Sequence, residues 1–162
     1  MLLLDVIEHV QSPEKFIEQL YDAAKMNPKI RFIASSGNIG FIVARLMLLF
    51  GQFNYGKRGI LDLTHTRLFS FASFRRLFEQ SGFKVEKIWG VPAPFPLAMG
   101  EGAVPAILLR LNQLLIMLSR RMFAYQMVME VRPMPSLEYL LQSAHSESAT
   151  RANRLPPQKA SE

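Results

Sequence analysis

Two short stretches carry the residue types that could do chemistry. The first is "LLLDVIEHV", in which Asp5, Glu8 and His9 fall within five residues. The second is "LDLTHTRLF", with Asp62, Thr64, His65 and Arg67. Carboxylates and imidazoles together suit two kinds of work. A near-neutral imidazole accepts a proton from a hydroxyl, which would make His65, His9 and Glu8 candidate acid–base groups. The set Asp5, Glu8, His9 and His65 could also hold a hard divalent metal. The structural alternative is that Glu8 and His9 hydrogen-bond a loop and a helix entry, with His65 a turn histidine bonded to the backbone. The chain has no cysteine, which excludes disulfides, thiolate metal sites and thiol catalysis.

The elements that must position these residues alternate in type. "LLLDVI" reads as an apolar strand of the kind found inside a parallel sheet. "SPEKFIEQLYDAAK" starts a helix, with Ser12 as N-cap, Pro13 in the first turn, and Phe16, Ile17, Leu20 and Ala24 on one face. "IRFIAS" is the next strand, which completes a βαβ unit with an expected right-handed crossover. "NIGFIVARLMLLFG" begins helical and runs into the basic, Gly-bearing loop "FNYGKRG", a candidate lid over a substrate. "SFASFRRLFEQSG" is a helix ending at Gly82, "FKVEKIWGV" a strand stopped by "VPAPFP", and residues 104–118 a long apolar helix. In that helix Ile107, Leu108, Leu111, Leu114, Leu115 and Leu118 recur at helical spacing and are expected to bury a face. "MFAYQMVMEVRP" is the last strand. Trp89 and the phenylalanines at 69–83 are expected in the core, and Arg67 on the surface or near an anionic ligand. From about Ser143 the chain has no aromatic residue, so residues 136–162 are expected to form a disordered tail after a domain spanning 1–135.

The chain has 162 residues, 49% hydrophobic and 20% charged, with a formal net charge of +6. That is enough for one domain with a sizeable core. The basic residues are dispersed, so no nucleic-acid partner is expected, although an anionic surface or substrate fits the sign. There is no secretory signal, and neither apolar stretch reaches the ~20 uninterrupted residues a span needs. A cytoplasmic location, with membrane-peripheral contact as an option, is the expectation.

The paired segments "DVIEHV" and "GILDLTHTRLFSFASFRRLFEQSGFKV" resemble class I S-adenosylmethionine-dependent methyltransferases, over roughly residues 2–133. Leu68 stands where that family has an aromatic residue. The resemblance implies an α/β fold holding the second half of a Rossmann-like sheet, strands four to seven, the last one antiparallel. It places Asp5 on the cofactor side, S-adenosyl-L-methionine as the cofactor, and a small-molecule or envelope-precursor acceptor. The Gly-rich turn that holds this cofactor in the family has no counterpart here, since "SSGNIG" follows the wrong strand. The implied activity is therefore that of a complete domain, and the isolated chain is expected to be inactive. The leading strand is expected to pair with an N-terminal-half partner chain or with a second copy. The alternative reading is a non-catalytic remnant or subunit that stabilises a methyltransferase partner.

Overall fold

The computed structural model describes residues 1–100 and 102–154. Four strands form one mixed sheet: β1 (Leu2–Leu3), β2 (Phe32–Gly37), β3 (Phe83–Val91) and β4 (Gln126–Pro133), in the order β1-β2-β4-β3. β1 runs parallel to β2, while β4 is antiparallel to both of its neighbours. The last strand in sequence thus lies between two earlier ones, and its antiparallel direction agrees with the sequence reading. The helices are α1 (Pro13–Ala24), α2 (Ile42–Leu49), α3 (Phe71–Gln80), α4 (Phe95–Met99), α5 (Ala103–Leu118), α6 (Arg120–Phe123) and α7 (Leu137–Arg154). Among the described residues the architecture is mixed α/β.

Strand alternation sorts β4 into two faces. Met127, Met129 and Val131 are fully buried on one, beside Phe32 and Ala34 of β2. Ile17 of α1 and Phe74, Leu77 and Phe78 of α3 close over them in one cluster. Fully burying such a side chain contributes about 1.5–3 kcal/mol. Edge-on ring contacts join Tyr21, Phe83, Phe78 and Phe74, and a tilted one adds Phe69, with centroids 5.3–5.8 Å apart, the spacing favoured by the ring quadrupole. On the other face the nearly buried Glu130 takes Arg31 at 2.6 Å and Lys87 at 3.7 Å, tying β4 to both sides of the sheet.

Several sequence expectations are corrected here. The leading strand is two residues long, not six. Asp5 adopts φ 52°, and its N–H turns to Ser35 Oγ at 3.0 Å, so the ladder stops and Ile7–His9 form a 3-10 turn. Ser12 stands at the N-cap of α1 but makes no side-chain capping bond there. Ser70 does cap α3, in a reciprocal box with Ser73. Trp89 is 43% exposed on the outer strand β3 rather than in the core. α5 buries Pro105 and Asn112, while Ile107, Leu111, Leu114 and Leu118 lie more than half exposed. The stretch expected to lack order is helical through Arg154, its first turn held by Ser136 Oγ accepting from Tyr139 N–H at 3.2 Å. Leu, Ala, Glu and Gln supply helix propensity there without needing a core. Residues 155–162 of that tail lie outside the described residues.

Candidate functional site

The two chemistry-bearing segments, more than fifty residues apart in sequence, are bound to each other through the backbone. Glu8 C=O accepts from Thr66 N–H at 2.8 Å, Thr66 Oγ1 at 3.0 Å and Arg67 N–H at 3.2 Å. Thr66 Oγ1 also lies 2.8 Å from Val10 C=O. Below this seam Phe69 is buried in the core, and its carbonyl accepts from Ile39 N–H at 2.9 Å. The segment carrying His65 is thus held at both ends by the elements it must face.

The result is a cleft of about 280 Å³ at the end of the sheet where β2 finishes and β4 begins, lined by Asp5, Glu8, His9, Arg58, Asp62, His65, Tyr125 and Gln126, among others. All four residues singled out in the sequence, Asp5, Glu8, His9 and His65, meet there. The imidazoles of His9 and His65 stand edge to face, with centroids 4.8 Å apart. His65 Nδ1 is 2.9 Å from Ile60 C=O, and His9 Nδ1 is 3.2 Å from Thr64 C=O. A carbonyl only accepts, so each Nδ1 carries a proton, which makes Nε2 the lone-pair atom of the ring whenever that ring is neutral.

The carboxylates differ in state. Asp5 is firmly tied: Ser35 Oγ donates at 2.8 Å, and Gln126 Nε2 reaches both of its oxygens at 2.7 and 2.8 Å. Glu8 is buried, and its Oε2 has no hydrogen-bond partner among the described residues. Burial pushes its carboxyl above the ordinary carboxylate value, outweighing its own backbone N–H, and the Asp5 charge adds to the rise. Asp62 is held below the usual range by the N–H and hydroxyl of Thr64, at 2.8 and 2.7 Å. Burial raises the Tyr125 phenol, again with help from Asp5. Among the described residues no three His, Asp, Glu or Cys are grouped so as to hold a metal ion.

Sequence reasoning left Tyr125, Gln126, Asp62 and Arg58 without roles. Gln126 opens β4, Tyr125 stands just before it, and neither shows a local signal; only the sheet order brings them to Asp5. Arg58 belongs to the basic loop singled out as a lid. That loop closes on itself, with Gly56 N–H to Leu61 C=O at 2.8 Å and Leu63 N–H to Gly56 C=O at 3.0 Å. Arg58 also borders an adjoining apolar hollow of about 250 Å³, lined by Phe41, Val43, Ala44, Met47 and Leu61, among others. Arg67 faces away: it pairs with Glu14 and lies over Phe69 at 5.7 Å, which is the surface role.

No protein-family model matches the chain. No curated protein matches it either. Among solved structures, it is similar to a chain of the Haloferax volcanii complex between the Trm112 methyltransferase activator and a methyltransferase-assigned protein, at 17% identity and TM-score 0.42. That similarity covers 83% of this chain and 53% of the other. A methyltransferase-assigned protein from Bacillus halodurans C-125 is similar at 12% identity and TM-score 0.45, over 83% of this chain and 68% of that one. The chain thus spans about half the length of the first structure and about two thirds of the second.

Proposed function

We propose that this chain is the acceptor-side half of an S-adenosylmethionine-dependent methyltransferase domain. The reading is carried by one observation: the two family-like segments converge on one cleft, at the strand ends where ligands bind in open α/β sheets. The residues present suit the cofactor. Three carboxyl groups, Asp5, Glu8 and Asp62, line the cleft and favour a cationic sulfonium, and the unpartnered Glu8 Oε2 offers a site for a hydroxyl or amine donor. S-adenosylmethionine supplies a methyl group already activated for displacement, so the protein's share is positioning and proton removal.

Within that share, Asp5 holds the cofactor side of the cleft, its carboxylate fixed by Ser35 and Gln126. His65 takes the proton of an acceptor hydroxyl on Nε2, while Ile60 C=O holds Nδ1–H and sets the ring. His9 packs against that ring and keeps it from turning. Glu8 orients the acceptor, its unpartnered Oε2 accepting from an O–H or N–H of that molecule. The hollow beside Arg58 accommodates an acceptor with an apolar portion and an anionic group.

Calorimetry tests the reading. The 162-residue chain alone is expected to give no micromolar binding of S-adenosylmethionine. Fused to a methyltransferase N-terminal half bearing the Gly-rich turn, it is expected to bind, with Asp5→Ala weakening the affinity about tenfold, the scale of one charge-assisted hydrogen bond. A folded fusion with no binding, or an unaffected Asp5→Ala variant, overturns it. The open edge of β1 favours a second reading, a subunit that adds its sheet to a partner's. Under that reading the fusion assembles but leaves the cleft idle.

A further inference from the structure

We propose that the α4–α5 face, continued by α2, docks on an anionic lipid bilayer and lies along its surface. The proposal is independent of the methyl-transfer reading. α5 is apolar nearly all round, and such helices are ordinarily buried. Its inner side meets the protein through Pro105 and Asn112, with Asn112 Oδ1 accepting from Ala93 N–H and Nδ2 donating to Phe123 C=O, each at 2.9 Å. Its outer side exposes Val104, Ile107, Leu111, Leu114 and Leu118, at alternating spacings of three and four residues. Leu97 of α4 is 88% exposed and Met117 of α5 85%. A small core of Phe41, Ile60 and Ala93, with Ile42 and Phe95 against it, joins α2 to α4. α2 leaves Leu46 and Leu49, with Phe50 just beyond it, in solvent.

Charge selects the occupant. Residues 39–61 contain Arg45, Lys57 and Arg58 and no acid, and residues 88–129 contain Arg110, Arg120 and Arg121 against Glu101 alone. None of these six cations is in an ion pair among the described residues. An apolar stripe that carries an exposed cation, Arg110, on a part of the chain with a basic balance is the pattern that binds anionic headgroups while burying side chains at the acyl boundary. A second copy on the same face would bring like charges together, since Arg110 sits within the stripe. No described helix is long and apolar enough to cross a membrane, so the contact is along the surface.

Co-sedimentation with phosphatidylcholine vesicles, with and without phosphatidylglycerol, tests this. Binding is expected on the phosphatidylglycerol vesicles, weak on phosphatidylcholine alone, and reduced by added salt. Arg110→Gln is expected to lower binding about fivefold, the equivalent of ~1 kcal/mol per cation near an anionic surface. The double variant Leu114→Gln, Leu118→Gln alters exposed side chains only, and is expected to lose binding while keeping its far-UV circular dichroism. Absence of sedimentation with anionic vesicles, or binding unchanged in both variants, overturns the proposal. So does a sedimentation-velocity dimer that the double variant abolishes, which assigns the face to a second copy.

Discussion

Glu8 is the residue whose environment disagrees most with its charge. Its folded-state carboxyl value lies above its unfolded one, so the native state binds more protons in the window between the two. Stability is expected to fall as pH rises from the ordinary carboxylate range through the raised value. Glu8→Gln removes that slope, which chemical denaturation across pH measures directly; an unchanged slope in the variant would place its origin elsewhere. For His65, ¹⁵N chemical shifts are expected to report the Nδ1–H tautomer whenever the ring is neutral, as the Ile60 contact favours; an Nε2–H tautomer would contradict that contact. These residues were legible in the sequence because they sit in short, chemically unusual clusters. Gln126 and Tyr125 were not, because nothing local distinguishes them from ordinary strand residues. Their importance comes from the register where β2 ends: Gln126 lies opposite Gly37, and the Tyr125 carbonyl accepts from Asn38 N–H at 2.9 Å.

At the scale of elements, helix α3 was the most legible. Ser70 starts it with a side-chain cap, Phe74, Leu77 and Phe78 share a buried face, and Gly82 follows it at φ 86°. A Cβ at Gly82 would lie 2.8 Å from the Tyr21 ring in a backbone region that costs L-residues about 1–2 kcal/mol. Gly82→Ala is therefore expected to destabilise by at least that amount in denaturant titrations. Asn112→Ala would strand the Ala93 N–H and the Phe123 C=O, at about 1–3 kcal/mol for each group left unsatisfied. The apolar pattern of α5 was read correctly as helical but not as exposed, since periodicity gives spacing and says nothing of what covers a face. β1 was misjudged for a different reason. Its apolar run promised six residues of strand, and a left-handed Asp5 bonded to Ser35 ends it after two.

Across the whole molecule the sheet order follows from a single insertion: β4, last in the chain, enters antiparallel between β2 and β3. Hydrogen exchange is expected to be slowest at Met129 and Val131 on this central strand and fastest at Leu2 and Leu3 on the edge. Comparable protection at both would mean that β1 is covered in solution. The same topology has a practical side. Met1 opens β1 beside Arg31, its amine donating to Arg31 C=O at 2.9 Å, and β4 runs out at Pro133 beside Phe83. Both lie at the rim of the sheet farthest from Asp5, His9 and His65. A surface attached through that rim would therefore hold the molecule by its back, leaving the mouth of the cleft unobstructed for immobilised binding assays.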